Sequence, residues 1–233
     1  MKVMILAAGR GERLRPLTDT TPKPLLRAGG KPLIVWQLER LAADGFREIV
    51  INHAYLGEQI EAVLGDGQRF GLNIRYSPEP HGALETAGGI ANALALLGDE
   101  PFLVINGDVW CDWKFDQAHR IAYNIASNHA RLAHLVLVDN PPHHPLGDFS
   151  LEKGILHAAE RPQENMFTYA GIGVFSPGLF AGIPRGTVMR LRPLLDREIA
   201  RGTIGGEYHS SQWIDAGTRE RLADLDKKLS TGY

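Results

Sequence analysis

The sequence predicts an α/β fold in which helices flank a mostly parallel central sheet. Short apolar runs alternate with segments of helical periodicity over most of the 233 residues, and this alternation is typical of parallel strands joined by helical crossovers. The runs are continuously apolar, which indicates strands that are buried on both faces. The hydrophobic share of 44% is sufficient for a sizeable core.

Five apolar runs bounded by turn residues predict the strands. The run at 73–77 is shorter and more polar than the others, so we expect it to be more exposed. In sheets of this kind ligands bind beyond the carboxyl ends of the strands, and we expect the functional site there. The five runs are Val3–Ala8, Glu48–Asn52, Asn73–Ser77, Pro101–Asn106 and His134–Asp139.

Helices are predicted between and after these strands. The first should begin at Pro32 and end at Gly45, because proline suits the first turn of a helix and glycine the residue after the last. Thr218 should cap a helix that ends near Leu229, since a threonine hydroxyl accepts from a free N–H of the first turn. The remaining predicted elements are helices at Leu56–Leu64, Thr86–Leu97 and Arg190–Arg201, a hairpin at Asp148–Ala159, and strands at Tyr169–Ser176 and Gln212–Ile214.

Composition and charge limit the possible functions. No Ser/Gly-rich or Pro-rich linker interrupts the chain, so we expect a single domain over residues 1–233, although this length also allows a second core. The formal net charge of −2 provides no overall attraction to nucleic acid or to an anionic membrane. The first apolar run is too short to span a bilayer. We therefore expect no nucleic acid or membrane partner, and the sequence predicts no particular protein partner.

Cysteine and histidine usage argues against a zinc protein. Cys111 is the single cysteine, which excludes an intramolecular disulfide and a cysteine-rich zinc site and fits a reducing, cytoplasmic location. His143 and His144 are adjacent in a proline-rich turn and should point apart, and no helical His-x-x-x-His accompanies them. We interpret the histidines as loop or surface residues, namely His119, His129, His134, His143 and His144.

The segment after the first strand is glycine-rich and locally basic. Residues 2–31 contain seven lysines and arginines against two acids. Gly9 and Gly11 allow backbone N–H groups to approach phosphate oxygens, and Arg13 and Lys23 can add positive charge. Prolines on both sides of Lys23 restrict its backbone, so its ammonium should be held by a stiff segment. The pattern therefore indicates a phosphate-binding loop.

Two common phosphate loops do not fit this segment. The dinucleotide-binding pattern requires a third glycine where Leu14 stands and a helix that opens at once, yet Pro16 follows. The Walker pattern requires Gly-Lys-Ser or Gly-Lys-Thr, which the sequence lacks. These two phosphate loops can therefore be set aside, and the structural alternative for the glycines alone is an ordinary turn.

Two aspartates follow predicted strands. Asp108 comes after the run that ends at Asn106, and Asp215 comes after the strand at Gln212–Ile214. Carboxylates at strand ends could share one divalent cation, for which Mg²⁺ is the natural candidate. The alternative is structural: an aspartate in a turn for Asp108 and an acid at a helix start for Asp215. Sequence spacing does not show that the two are close.

Residues 6–18 and 22–25 together resemble the signature of the sugar-1-phosphate nucleotidylyltransferases. They read Leu-Ala-Ala-Gly-x-Gly-x-Arg-Leu-x-Pro-Leu-Thr and Pro-Lys-Pro-Leu. The resemblance implies a Rossmann-like nucleotidyltransferase fold with a small sugar-binding β subregion. It also implies an enzyme that joins a sugar 1-phosphate to a nucleotide and releases pyrophosphate. The nucleotide-binding part would cover about 1–110, the sugar-binding part about 111–217 and a C-terminal helix about 218–229.

The same resemblance implies roles for individual residues. Arg13 would stabilise the departing pyrophosphate and Lys23 would bridge the reacting phosphates, while Asp108 and Asp215 would hold Mg²⁺. Arg161 stands where relatives have a lysine near the sugar phosphate, and arginine has a different donor geometry. The implied nucleotide-binding residues are Ala7, Ala8, Gly9, Gly11, Arg13, Lys23, Glu79, Glu85 and Thr86, and the implied sugar-binding residues are Asn106, Gly147, Glu160 and Tyr169.

Residues 84–89, Leu-Glu-Thr-Ala-Gly-Gly, are most similar to the branch that transfers uridylyl from UTP to N-acetylmuramate α-1-phosphate, an activity of peptidoglycan recycling. Glu79 offers only acceptors when ionised, which suits uracil or thymine and equally guanine. Alternatives are therefore a mannose-1-phosphate guanylyltransferase and a glucose-1-phosphate thymidylyltransferase or uridylyltransferase. A non-catalytic nucleotide-sugar sensor would be expected to lack Arg13, Lys23, Asp108 or Asp215, and all four are present.

Overall fold

The computed structural model describes residues 1–128, 130–158 and 165–231. Strands and helices alternate through its first half as the sequence predicts. The strands are β1 (Val3–Leu6), β2 (Arg27–Ala28), β3 (Lys31–Pro32), β4 (Glu48–His53), β5 (Asn73–Pro78), β6 (Phe102–Asn106), β7 (Val109–Cys111), β8 (Ala133–Val138), β9 (Phe149–Glu152), β10 (Ile155–Ala158), β11 (Met166–Phe175), β12 (Ile204–Tyr208) and β13 (Trp213–Asp215). The helices are α1 (Leu17–Thr20), α2 (Leu33–Ala43), α3 (Gly57–Leu64), α4 (Glu85–Leu97), α5 (Gln117–Ser127), α6 (Leu191–Ile199) and α7 (Arg219–Ser230).

Most predicted elements are confirmed with small shifts at their ends. Two of the longer elements were missed, α5 and β12. Helix α5 is polar on most of its surface and buries only Ala118, Ile121 and Ile125, a narrow stripe at helical spacing. Strand β12 contains Gly205 and Gly206, which weaken a strand pattern in sequence. Here the glycines allow close approach, since a Cβ at Gly206 would lie 3.0 Å from Leu156 Cδ2.

The central sheet has nine strands within the described residues, in the order β5-β4-β1-β6-β11-β8-β12-β10-β9. Strand β1 lies between β4 and β6 and is parallel to both. The pairings make β11 and β10 run opposite to the other strands. The sheet is therefore mostly parallel, and the carboxyl ends of β1, β4, β5 and β6 meet at one edge.

Helices cover both faces of this sheet. Along β1, Val3 and Ile5 belong to a core cluster with residues of α2, α3 and α5, while Met4 belongs to a second cluster with residues of α4 and α6. The division follows from the alternation of side chains along a strand. The predicted α/β class, with helices flanking a mostly parallel sheet, is confirmed.

A third apolar cluster attaches the C-terminal helix to the N-terminal segment. Leu222, Leu225 and Leu229 of α7 pack with Leu14 and with Ala28 of β2. Thr218 Oγ1 accepts from Arg221 N at 3.3 Å, as predicted for the helix cap. Helix α7 therefore closes over the segment that precedes β2.

Some predicted features lie outside the described residues: His129, the end of the hairpin at Ala159, and the candidate site residues Glu160 and Arg161. Within the residues that are described, no helix is both long and apolar enough to cross a membrane.

Candidate active site

The segment between β1 and β2 folds back on itself. Gly11 has φ +70°, and a Cβ there would lie 2.9 Å from Thr18 Cγ2 and 3.3 Å from Lys23 Cβ. The Thr18 hydroxyl donates to Gly11 O at 2.9 Å. A larger residue at position 11 would be strained and would collide with Thr18. The turn therefore brings Lys23 next to the glycines that follow β1.

Arg10 stabilises this segment. Its guanidinium donates to Thr18 O at 2.6 Å and to Asp19 Oδ1 at 3.0 Å, and it stacks 3.8 Å from the ring centroid of Tyr55. The hydrogen bond from Arg10 is the main reason that the pKa of Asp19 is lowered. The contacts of Arg10 therefore hold the loop against Thr18, Asp19 and Tyr55, and Arg10 also lines the first cavity described below.

A cavity of about 440 Å³ lies beyond the carboxyl ends of β1 and β6. Its lining combines the glycine-rich loop with Lys23 and Pro24, the start of α4 and the turn after β6, together with Asn52 of β4 and Gly217 after β13. Most of the sequence-predicted nucleotide residues meet here. The predicted residues in this first cavity are Ala7, Ala8, Gly9, Gly11, Arg13, Lys23, Glu85, Thr86, Asn106 and Asp108.

Lys23 and Asp108 form an ion pair in which Lys23 Nζ donates to Asp108 Oδ2. Helix α2 fixes the turn that carries Asp108, because Gln37 Nε2 donates to Asn106 O at 2.8 Å and to Val109 O at 2.9 Å. Gly107 permits the tight approach to β1, since a Cβ there would lie 2.6 Å from Leu6 O. The carboxylate of Asp108 is thereby held at the floor of the cavity.

The pairing of β7 with β13 brings Asp215 to the same place. Asp215 is opposite Val109 in the register, and Ala216 N donates to Asp108 O at 2.9 Å. Asp215 Oδ1 is buried and has no hydrogen-bond partner among the described residues. A Cβ at Gly217 would lie 2.6 Å from this oxygen and 3.0 Å from Arg13 Nη2. The two aspartates and Arg13 therefore surround one small region.

A second cavity of about 410 Å³ adjoins the first, and the two share Arg13, Asn106 and Asp108. Its other walls come from β11, from β13 and from the loop between β8 and β9. Tyr169, predicted to contact a sugar, lies in this lining, and burial raises the pKa of its hydroxyl. The second cavity is lined by Arg13, Asn106, Asp108, Val109, His143, His144, Thr168, Tyr169, Ala170, Gly171, Trp213 and Asp215.

Gly147 differs from Asn106 and Tyr169 in that it is not in the described lining of either cavity. It has φ +65°, and a Cβ there would lie 2.6 Å from Asn140 Oδ1. Gly147 N donates to His144 O at 3.2 Å. Gly147 therefore shapes the loop that carries His143 and His144.

Glu79 is buried, with only 3% of its surface exposed. Its Oε1 accepts from Asn52 Nδ2 at 2.7 Å, and its Oε2 accepts from Leu84 N at 2.7 Å. Burial raises the pKa of this carboxyl, while the two hydrogen bonds oppose the shift. Glu79 is not in the described lining of the first cavity. The Glu79 carboxylate therefore links Asn52 of β4 to Leu84 N, directly before α4.

Sequence reasoning missed several residues that line the cavities. Asn52 could have been found, since it ends a predicted strand at the same edge as Asn106, and it lines the first cavity. His143 and His144 are loop residues as interpreted from the sequence, with 40% and 41% of their side chains exposed, and both also line the second cavity. Their position depends on how the β8–β9 loop folds against β11, for which the sequence has no local signal.

Comparisons with known proteins identify the family of this chain. Residues 2–231 match the family described as nucleotidyl transferase. The chain is 55% identical to N-acetylmuramate alpha-1-phosphate uridylyltransferase of Neisseria meningitidis serogroup B, with 96% of each chain covered. It is 34% identical to the mannose-1-phosphate guanylyltransferase catalytic subunit beta of Danio rerio, over 93% of this chain but 61% of that relative.

A solved structure at low sequence identity supports the fold alone. HddC from Yersinia pseudotuberculosis, complexed with GMP-PN, superimposes with a TM-score of 0.77 at 21% identity, covering 98% of this chain and 99% of that one. The family match extends over nearly the whole chain, and it confirms the resemblance carried by residues 6–25. From the matched sequence and the shared fold, the chain belongs to the nucleotidyl transferase family.

Proposed function

We propose that this enzyme transfers a uridylyl group from UTP to N-acetylmuramate α-1-phosphate and releases pyrophosphate. The observation that carries the proposal is the pair of adjoining cavities that share Arg13, Asn106 and Asp108. One cavity would hold the nucleotide and the other the sugar, so that the sugar phosphate meets the α-phosphate at the shared residues. The 55% identity over 96% of each chain supports the choice of substrates.

The reaction is an in-line displacement at the α-phosphorus of UTP. An oxygen of the sugar phosphate forms a new P–O bond to the α-phosphorus. The bond from the α-phosphorus to the oxygen that bridges the α- and β-phosphates breaks, and pyrophosphate leaves with that oxygen. The nucleophile is already anionic and needs no general base. Arg13 would stabilise charge on the departing pyrophosphate, and Lys23 would move from Asp108 to the reacting phosphates. Backbone N–H groups at Gly9 and Gly11 would bind the remaining phosphate oxygens.

The donor set near Asp108 and Asp215 fits a divalent cation. Both side chains are carboxylates, which are the ligands that Mg²⁺ prefers, and Asp215 Oδ1 is buried without a partner in the described chain. A buried carboxylate oxygen without a donor is costly, and a bound cation would remove that cost. When bound, Mg²⁺ would neutralise triphosphate charge and orient the phosphates. We assign Asp108 and Asp215 as its protein ligands.

The base would lie against the start of α4. Ala83, Glu85 and Thr86 line the first cavity there, and α4 directs free backbone N–H groups towards this end. Glu85 has φ +61°, an uncommon value for a residue with a side chain. Asn52 and Glu79 hold this segment through Leu84 N. Base selection would therefore depend on the backbone of residues 83–86 rather than on the Glu79 carboxylate.

A substrate panel tests the proposal. Purified protein would be supplied with UTP, GTP or dTTP together with the 1-phosphates of N-acetylmuramate, N-acetylglucosamine, mannose or glucose, and pyrophosphate release would be measured. We expect the highest kcat/KM for UTP with N-acetylmuramate 1-phosphate. N-Acetylglucosamine 1-phosphate is the matched control, because it differs by the lactyl ether. A preference for GTP with mannose 1-phosphate would overturn the assignment.

A further inference from the structure

Arg221 belongs to the C-terminal helix, and its guanidinium contacts Asp215 and His143, which both line the second cavity. It sits in the first turn of α7, which packs against the N-terminal segment through Leu222 and Leu225. Its side chain is mostly buried, with 16% exposed. Helix α7 therefore places the Arg221 guanidinium between Asp215 and the β8–β9 loop.

Two site residues share one nitrogen of this guanidinium. Arg221 Nη1 lies 3.0 Å from Asp215 Oδ2, and it also donates to His143 Nε2. His143 Nε2 and Asp215 Oδ2 are 3.7 Å apart. One residue of α7 thus joins the proposed metal ligand to a histidine that lines the second cavity.

The contact distinguishes the two oxygens of Asp215. Oδ2 faces Arg221, whereas Oδ1 is buried without a partner among the described residues. An arginine on one oxygen restricts rotation of the carboxylate and leaves the other oxygen for a cation. Gly217 packs closely beside Oδ1, since a Cβ there would lie 2.6 Å from that oxygen.

The contact also orients the ring of His143. A nitrogen that accepts from a guanidinium carries no proton, so the hydrogen of the neutral ring is on Nδ1. One guanidinium nitrogen, Arg221 Nε, is buried and has no partner in the described chain. Such a group is costly in a residue kept for packing alone, which favours a role in the site.

We propose that Arg221 is a positioning residue of the transfer site, holding Asp215 and His143 in one arrangement so that the metal and the sugar phosphate are aligned. The effect of Arg221 on catalysis rests on the proposed function. The contacts of Arg221 with His143 and Asp215 can be tested without measuring turnover. Arg221 would act through its two partners, and no direct contact with substrate is assigned to it.

The experiment compares Arg221→Gln and Arg221→Lys with Lys227→Gln, which removes one charge from an exposed position of the same helix. We expect Arg221→Gln to lower kcat about 100-fold, as misplaced reacting groups do, to raise KM for the sugar 1-phosphate, and to leave KM for UTP within about twofold. Arg221→Lys should be intermediate, because an ammonium is a point donor without the planar guanidinium geometry. Lys227→Gln should match the unsubstituted enzyme.

Nitrogen-15 NMR of the histidine rings gives a second readout, with His143→Asn to identify the signal. We expect the unsubstituted protein to show His143 protonated on Nδ1, and Arg221→Gln to change that signal. Kinetics equal to those of Lys227→Gln, with an unchanged His143 signal, would overturn the proposal. So would a large loss of thermal stability that Arg221→Lys shares, since the arginine would then only dock the helix. If no nucleotide and sugar pair reacts, the proposed function fails, and the NMR result still decides whether Arg221 holds His143.

Discussion

Lys23 and Asp108 form an ion pair although 85 residues separate them in the chain. The pair joins the segment after β1 to the turn after β6, at the floor of the cavity that we assign to the nucleotide. Each partner has a second role in the proposed reaction, since Lys23 would bind phosphate and Asp108 would bind Mg²⁺. In the proposed reaction the pair would keep both groups in place until substrate separates them.

The first prediction concerns Lys23. Lys23→Gln should lower kcat/KM at least about 100-fold, because a preorganised cation at the reacting phosphates is removed. Steady-state pyrophosphate release would measure the loss. Lys31→Gln is the control, since Lys31 lies in the same basic segment but pairs with Glu39 and packs on Trp36. Equal activity of the two variants would contradict the role of Lys23.

The second prediction concerns the metal. Asp108→Asn and Asp215→Asn retain side-chain shape but remove a charged ligand, so each should weaken Mn²⁺ binding in the presence of UTP by at least about tenfold. Electron paramagnetic resonance of free Mn²⁺ would measure the affinity without turnover. Asp99→Asn, at an exposed turn, should leave it unchanged. Unaltered Mn²⁺ affinity in both site variants would remove these residues from the metal site.

The third prediction separates folding from nucleotide binding at Gly9. No atom lies within 4 Å of a Cβ built on this residue, yet Gly9 lines the first cavity. Gly9→Ala should therefore leave Tm unchanged and raise KM for UTP about tenfold or more, because a methyl group obstructs phosphate approach to the backbone. Gly178→Ala is the control, as its Cβ would lie 3.4 Å from Ser176 Oγ, away from both cavities. An unchanged KM for UTP would place the phosphates elsewhere.

The fourth prediction concerns a buried hydrogen-bond network in which the amide of Asn52 and the carboxylate of Glu79 can be exchanged. Asn52 Oδ1 accepts from Ala7 N at 2.9 Å, and Asn52 Nδ2 donates to Glu79 Oε1 at 2.7 Å. Glu79→Gln leaves one donor without an acceptor, and Asn52→Asp places two carboxylates together, so each should lower the free energy of unfolding by about 2 kcal/mol. The double variant restores every hydrogen bond. The new carboxylate at position 52 accepts from Ala7 N and from the new amide at position 79, whose carbonyl oxygen accepts from Leu84 N.

Chemical denaturation and KM for UTP would test this exchange. We expect the double variant to recover most of the stability and most of the affinity for UTP, a coupling that independent sites do not show. Additive losses would mean that the network does not position the loop. A double variant that folds well but changes its preference among UTP, GTP and dTTP would instead show that Glu79 contacts the base.

The local pattern of residues was enough to predict much of this protein. Continuous apolar runs such as Val3–Ala8 and Pro101–Asn106 predicted buried strands, and the rule that ligands bind where parallel strands end pointed to Asn106 and Asp108. The glycines, Arg13 and the prolines around Lys23 indicated a phosphate loop, because their backbone and charge properties act over a few neighbouring residues. Thr218 was predicted as a helix cap for the same reason, and the structure confirms it.

The tertiary structure decided which distant residues meet. The proximity of Asp215 to Asp108 depends on the pairing of β7 with β13, and the place of Arg221 depends on α7 packing against the segment before β2. His143 reaches the second cavity through a loop, and Glu79 turned out to be buried against Asn52. Local propensity does not encode such contacts, since they arise from strand pairing and the burial of apolar surface between residues far apart in sequence.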